Sequence, residues 1–312
     1  MSSELQYPQP HTSSYYAAST NLHVDCESLK GAKSTDVCIV GAGFTGISAA
    51  LHLAERGYGV TVVEANKVGW GASGRNGGQM IGGISGEPRL AAALGESGSK
   101  LLWDLRWAGH QIIRERVETY AIDCDLKAGY VDVAIKPRHL RDLEREYRYL
   151  EEHKFSFEHT MFSKEKTQEL LGTKAYIGAL LNMGNGHLHP LNLCLGEAAA
   201  AMSLGAKIYE RSPAIRIERG NKATVVTHGG SVTADSVILA GNAYHFLEPR
   251  LRGNLLPVNS FIVASEPLSA ELIEEINPRD LAVCDPNYIL TYFRLSGDGR
   301  LLFGGRFTYF GS

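Results

Sequence analysis

The sequence predicts an α/β protein: a parallel sheet of the nucleotide-binding kind, encoded in two sequence pieces, with an α+β segment between them. Three observations predict it. Val37–Val40 is a short continuous apolar run, as expected of a strand buried on both faces. A glycine-rich turn and a helical stretch separate it from a second such run, Val60–Val63, which makes a βαβ unit. After about 125 residues of different character, buried-strand chemistry resumes near residue 190 and ends in Ser236–Ala240.

The elements follow in order. Residues 1–33 are polar and aperiodic, with Pro8, Pro10 and a Ser-Ser-Tyr-Tyr run. They read as an arm on the surface or a disordered tail. From Thr45 the pattern is helical, with Ile47, Ala50, Leu51 and Ala54 on one face and a stop near Gly57. Residues 66–89 are glycine-rich with little periodicity, and a loop of that length in a compact domain is usually functional. Residues 99–120 read as a helix whose Trp103, Trp107, Ile113, Val117 and Tyr120 form a core stripe. Tyr130–Ile135 alternates like a strand, and 138–153 is a charged helix with Leu140, Leu143, Tyr147 and Leu150 on its apolar face. Leu191–Leu204 is an alanine-rich helix ending at Gly205. Ala214–Ile217 reads as a strand, and Ala223–His228 and Ser231–Thr233 as a pair around Gly229-Gly230.

Composition excludes several classes. Thirty-one basic and 34 acidic residues give a net charge of −3, which offers no basic footprint for nucleic acid and no basic helix for a membrane surface. No apolar run reaches the ~18 residues of a membrane span, and the first 30 residues lack the apolar core of a secretory signal. The five cysteines are odd in number, widely spaced and without Cys-x-x-Cys. A disulfide framework or zinc ribbon is not expected, and a cytoplasmic location is the default. His187 and His189 have the i, i+2 spacing of a ligand pair, but no carboxylate or Cys cluster accompanies them. No metal is expected, and the pair reads as packing or as an active-site edge.

The chemistry centres on Gly41-Ala42-Gly43-Phe44-Thr45-Gly46, a G-x-G-x-x-G run that follows a buried strand and opens a helix. This context makes the domain Rossmann-like. Gly41 allows the tight turn, Gly43 lets backbone approach a pyrophosphate, and Gly46 lets the helix pack on the sheet. The helix N-terminus offers unpaired N–H groups and partial positive charge to phosphates, worth up to ~2 kcal/mol. Glu64 ends the second strand, 23 positions after Gly41, where a carboxylate can accept both ribose hydroxyls. The run Gly69-Trp70-Gly71-Ala72-Ser73-Gly74-Arg75-Asn76-Gly77-Gly78-Gln79 follows at once. Its backbone can run under the pyrophosphate and reach a reactive ring. Ser73 and Asn76 are donors there, and Arg75 can offset phosphate charge. A nicotinamide dehydrogenase has no need of this extension.

The fingerprint, Glu64 and the Gly-Ala-Ser-Gly-Arg-Asn-Gly-Gly run resemble the FAD-dependent oxidoreductases of the D-amino-acid oxidase superfamily. Ser13–Ser19, Ile113–Arg116, Ile122–Asp125, His187–Leu193 and Ala240–Tyr244 resemble, within it, the gamma-glutamylputrescine oxidase subfamily. The resemblance covers nearly the whole chain. It implies a Rossmann-like FAD-binding domain with an inserted α+β substrate domain: an arm over 1–33, the FAD domain over 34–90 and 190–250, and an incomplete substrate domain over 91–189 and 251–312. It implies that Ala72, Ser73, Arg75, Asn76, Gly77, Gly78 and Gln79 hold the cofactor with the fingerprint. The Ser212-Pro213-Ala214-Ile215 strand entry would meet the adenine, and Gly241 would close over the pyrophosphate, although Gly241 also reads as a plain strand terminator. Implied too is oxidation of a small-molecule amine by hydride transfer to the flavin, with O2 as acceptor and aldehyde and H2O2 as products. Tyr288, Tyr292, Arg294 and His189 are the substrate-site candidates. The first three read equally as alternating strand residues, with Arg294 solvated. No catalytic acid or base is assigned. Superfamily members continue past the Leu301–Ser312 strand into a last Gly-rich unit, so a fragment, with weakened FAD binding and turnover, is an expectation. The rival readings are an amino-acid or other secondary-amine oxidase or dehydrogenase, a non-catalytic nucleotide-binding protein, and a nicotinamide dehydrogenase.

Overall fold

The computed structural model describes residues 8–243, 247, 248, 250, 254 and 258–308, with the side chains of 307 and 308 left aside. Residues 1–7 of the arm, Tyr244 of the Ala240–Tyr244 run and 309–312 of the last strand lie outside the described residues. Along the chain the elements are α1 (Tyr15–Ala18), β1 (Gly31–Val40), α2 (Phe44–Glu55), β2 (Val60–Val63), a 3-10 turn (Ala72–Gly74), β3 (Gln79–Met80), α3 (Glu87–Thr119), β4 (Lys127–Ala134), α4 (Pro137–Glu152), β5 (His159–Phe162), α5 (Lys164–Leu171), β6 (Gly178–His187) and α6 (Pro190–Ser203). They continue with β7 (Lys207–Tyr209), β8 (Ala214–Glu218), β9 (Ala223–Thr227), β10 (Gly230–Leu239), β11 (Asn259–Pro267), α7 (Ala270–Ile276), β12 (Ala282–Cys284), β13 (Tyr292–Leu295) and β14 (Arg300–Thr308). The chain divides into two compact units. The first falls within Met1–Asn76, Thr119–Cys124 and Pro190–Pro257, and the second within Gly77–Glu118, Asp125–His189 and Val258–Ser312.

The first unit is an α/β layer structure. Its six-stranded sheet has the order β7-β2-β1-β10-β9-β8. The four strands from β7 to β10 are parallel, and β9 and β8 add an antiparallel edge. Parallel strands need both faces covered, and the sequence supplies that: Cys38, Ile39, Val62 and Val63 are fully buried. The face of α2 that reads as apolar, Ile47, Ala50, Leu51 and Ala54, is the face it buries. Helix α6 is buried almost all round from Pro190 to Ala201, which its alanine-rich, weakly amphipathic sequence permits. The paired strands expected around Gly229-Gly230 and the separate strand at 236–240 prove to be β9 and one continuous ten-residue β10. The two runs merge because the parallel pairing with β1 extends from Gly230 to Leu239.

The arm is neither disordered nor loose over its described length. Tyr16, Cys26 and Leu29 are buried. The Gln9 N–H donates to Asn66 Oδ1 (2.7 Å), Trp70 Nε1 to the Pro10 carbonyl (2.9 Å), and Leu29 N–H to Ser212 Oγ (2.8 Å). Long-range polar clasps of this kind leave no periodic trace in a sequence.

The second unit is an α+β structure on a mixed eight-stranded sheet, ordered β11-β14-β13-β12-β4-β6-β3 with β5 on β6. All its pairs are antiparallel except β12 with β4. One face carries Val131, Val133, Leu181, Leu281 and Val283 against Leu170, Leu171 and Tyr176. The other carries Ala134 and Leu180 under α4, with Trp103 and Trp107 of α3 in the same cluster, so the tryptophans serve the core as expected. The long strand β6 is not legible beforehand. Its Gly-Ala-Leu-Leu-Asn-Met-Gly-Asn-Gly-His run is buried on both faces and has no alternation. All five cysteines are free and buried. Among the described residues no helix is long and apolar enough to cross a membrane, and no group of three or more His, Cys, Asp and Glu is arranged to hold a metal.

Replacing Leu51, fully buried on α2, by alanine removes apolar burial and leaves a cavity. The expected cost is about 2–5 kcal/mol, read as a lower urea midpoint for the first unit with an unchanged slope.

Candidate functional site

Strands β1, β2 and β10 end together at Val40, Val63 and Leu239, on the side where strand order reverses about β1. Open α/β sheets bind ligands at this switch point. A cavity of about 480 Å3 opens there, lined by the strand ends and by Gly41, Gly43, Phe44, Thr45, Glu64, Ala72, Ser73, Ala214 and Gly241.

The glycines are required by contact. Gly41 has φ +107, and a Cβ there would stand 2.6 Å from the Ala240 carbonyl oxygen. A Cβ at Gly46 would stand 1.9 Å from the Gly41 carbonyl oxygen, a backbone obstacle that cannot rotate away. At Gly43 the obstacle is only Ser73 Oγ, at 2.8 Å. That hydroxyl accepts the Phe44 N–H (2.9 Å), so a residue 29 positions away caps the first turn of α2. Its own hydrogen stays available to donate.

Glu64 braces the turn. The Ala42 N–H donates to Oε2 (2.7 Å) and the Asn66 N–H to Oε1 (2.9 Å). Each carboxylate oxygen keeps further acceptor capacity toward the cavity. Burial pushes the Glu64 carboxyl above its ordinary value, and the two backbone donors oppose that rise. The donor set suits a dinucleotide: helix-terminal N–H groups and a hydroxyl for phosphate, a carboxylate for ribose hydroxyls, and backbone held close by glycine. The cradle therefore fits the adenosine and pyrophosphate portion of FAD.

The loop after Glu64 divides. Ala72 and Ser73 line the cavity. Arg75 does not: its Nε donates to the Trp70 carbonyl (2.8 Å), and its guanidinium stacks 4.4 Å over the Trp70 ring. Asn76 donates back to the Ala72 and Ser73 carbonyls and closes the 3-10 turn. Both shape the loop rather than face the cavity. Gly77, Gly78 and Gln79 belong to the second unit. There a Cβ at Gly77 would meet the Tyr292 ring at 2.6 Å, Gly78 has φ +68, and Gln79 Nε2 donates to the Val283 carbonyl (3.2 Å). Ala214 lines the cavity, whereas Ile215 points outward and is exposed, since alternate strand residues face opposite ways. Sequence reasoning missed Ala65 and Asn66 as lining residues. Neither stands in a spaced motif.

In the second unit the substrate-site candidates separate. Tyr288 is 92% exposed on a turn closed by Asp285, whose Oδ1 accepts the Asn287 and Thr291 N–H groups. Tyr292 packs on Gly304, where a Cβ would stand 2.0 Å from its ring. His189 is buried. Buried His187 meets the Asp280 carbonyl through Nε2 (2.7 Å). Arg294 is not solvated. It is 2% exposed, and its guanidinium donates to the carbonyls of Gly77 (2.8 Å), Leu295 (2.9 Å) and Leu188 (2.8 Å). The planar fork makes it a clamp for three segments of backbone.

Arg294→Lys cannot reach all three carbonyls and is expected to destabilise the ligand-free protein by about 2–4 kcal/mol, seen as a lower Tm with no substrate present. For Glu64, burial keeps the proton on the native state to higher pH than on the unfolded chain, which titrates near about 4.3. Stability of the apoprotein therefore falls as pH rises through the raised native value. Glu64→Gln should remove that slope in thermal unfolding measured across about pH 4–8.

Comparison with known proteins agrees with this geometry. The family described as FAD dependent oxidoreductase matches residues 36–312. Gamma-glutamylputrescine oxidoreductase of Escherichia coli is 40% identical over 302 residues, covering 96% of this chain and 71% of the relative. A probable oxidoreductase, OrdL, of Haemophilus influenzae is 42% identical over 305 residues, covering 95% of this chain and 70% of the relative. Among solved structures, L-amino acid deaminase from Proteus myxofaciens superposes with TM-score 0.71 at 25% identity, over 91% of this chain and 61% of that one. Glycine oxidase from Geobacillus kaustophilus shares the fold with TM-score 0.69 at 24% identity, over 88% and 72% of the two chains. The chain belongs to the FAD-dependent oxidoreductases of the D-amino-acid oxidase family.

Proposed function

We propose that this FAD-dependent oxidoreductase oxidises an amine of the gamma-glutamylputrescine type at the carbon next to nitrogen, with O2 as acceptor. The products would be the aldehyde, ammonia and H2O2, with water consumed. The observation that carries the reading is the 40% identity, over 96% of the chain, to a relative named for that substrate. Gly41, Gly43, Thr45, Glu64 and Ser73 would hold the adenosine and pyrophosphate of FAD at the first cavity. When bound, FAD supplies a two-electron acceptor for hydride and a route for those electrons to O2.

The chain's own part is to bind, orient and desolvate. Ser73 caps α2 and keeps a hydroxyl hydrogen for phosphate, and Glu64 fixes the turn while offering acceptors to ribose. The Gln79 amide and the Tyr292 ring lie where the second unit brings Gly77 close to β13. An aromatic ring packed against glycine backbone is a suitable wall for the methylene chain of a diamine.

The test is anaerobic. Flavin bands of the purified holoprotein should bleach on adding gamma-glutamylputrescine and recover with peroxide release when air is admitted. Bleaching by glycine or another amino acid, with none by the glutamylated diamine, would move the assignment to an amino-acid oxidase. A flavin that no amine reduces would overturn the proposal.

A further inference from the structure

In the first unit the N-terminal arm is fastened to the wall of the cofactor cavity. Asn66 and Trp70 line that cavity. Both are also gripped by the arm: the Gln9 N–H donates to Asn66 Oδ1 (2.7 Å), and Trp70 Nε1 donates to the Pro10 carbonyl (2.9 Å). The Asn66 N–H in turn donates to Glu64 Oε1 (2.9 Å), and Glu64 Oε2 accepts the Ala42 N–H (2.7 Å). A run of three hydrogen bonds thus joins the arm to the glycine turn. Farther along, the arm has separate anchors. Thr20 Oγ1 donates to Asn192 Oδ1 (2.9 Å), the Leu29 N–H to Ser212 Oγ (2.8 Å), and Arg211 Nη2 to the Cys26 carbonyl (2.8 Å). The clasp at residues 9 and 10 can therefore open while residues 20–29 stay in place.

His11 follows the clasp directly and is half-buried. The charged and titratable groups that face it are Glu210 after β7, Arg75 and Lys67 in the loop after β2, and His23 of the arm itself. Glu210 is 1% exposed, and its carboxylate is already engaged. Lys67 Nζ (2.7 Å) and the Val68 N–H (2.9 Å) donate to it, and Arg211 Nη1 stands 3.7 Å away. One buried carboxylate thus serves a neighbourhood that holds Lys67, Arg75 and Arg211 before His11 gains a proton. The pull of Glu210 on a charged imidazole is opposed by Arg75, Lys67 and His23, and partial burial of the charge adds a further cost.

We propose that residues 9–11 are a latch on the FAD cavity: closed around a neutral His11 they fix Asn66 and Trp70 in its wall, and a proton taken up by His11 from solvent lifts them and speeds the cofactor's release. Burial, then Arg75, Lys67 and His23, hold the His11 imidazole below its ordinary value, and Glu210 opposes them. The closed latch therefore binds the proton less readily than the open one, whose imidazole titrates near about 6.5. Closure is fully favoured above that pH and is lost as pH falls through and below it. This inference rests on FAD occupying the first cavity and is independent of which amine is oxidised.

The test uses the purified full chain. Release of FAD on dilution, followed by the fluorescence of free flavin, should be about tenfold faster at about pH 5.5 than at about pH 7.5. His11→Gln, neutral throughout, should remove that acceleration, and His11→Lys, charged throughout, should release FAD quickly at both. Glu64 titrates in all three proteins, so the difference among them belongs to His11. Opening itself is read on the Trp70 indole N–H resonance, assigned by its loss in Trp70→Phe. It should move between the two pH values in the wild type and stay in place in His11→Gln. Release equally acid-sensitive in the wild type and in His11→Gln would overturn the latch. An indole signal that follows His11 while FAD release does not would overturn its control of the cofactor. A protein that takes up no FAD, with an indole signal that still follows His11, would keep the moving strap and overturn the assignment of the cavity to FAD.

Discussion

The contact on which the first unit depends is the one between Gly46 and the Gly41 carbonyl. With hydrogen in place of Cβ at 46, α2 sits directly on the turn that leaves β1; with any side chain there, the helix would have to move by more than an ångström. That closeness aims the first N–H groups of α2 into the crevice at the strand ends. The same constraint explains the neighbours. Gly41 must turn under the Ala240 carbonyl, and Ser73 replaces the cap that Gly43 cannot provide. Glu64 then spans the turn, pinning Ala42 from one side and Asn66 from the other. The cavity is the space left by these four decisions.

The second unit solves a different problem. Its backbone is brought together from three stretches of sequence, and the carbonyls where they meet are buried. Unpaired, each would cost about 1–3 kcal/mol. Arg294 answers for three of them at once. One planar fork thus ties three backbone segments together. On the face that carries Tyr292, the Asp132 carboxyl is held by the Tyr130 hydroxyl (3.1 Å).

Much of the nucleotide site was legible because its chemistry is local. The Gly41–Gly46 turn, the two buried strands and Glu64 lie within 28 residues, and each glycine has its own steric reason. Ala72, Ser73, Ala214 and Gly241 could be placed at the cofactor by resemblance, and each lines the cavity. Arg75, Asn76 and Ile215 could not be sorted from them in advance. Arg75 depends on a ring beside it, Asn76 on the carbonyls of its own turn, and Ile215 on which way one strand residue faces.

By itself the sequence determined the α/β class, the βαβ start and the turn that receives a dinucleotide, because periodicity and the absence of Cβ act over a few residues. The tertiary structure decided what the polar side chains do. It fastened an aperiodic arm through Gln9, Pro10 and Leu29, fused two expected strands into β10 and buried Arg294 against carbonyls. The reason is that a hydrogen-bonding group is assigned by its nearest partner in space, and the partners here stand up to 217 positions away in the chain.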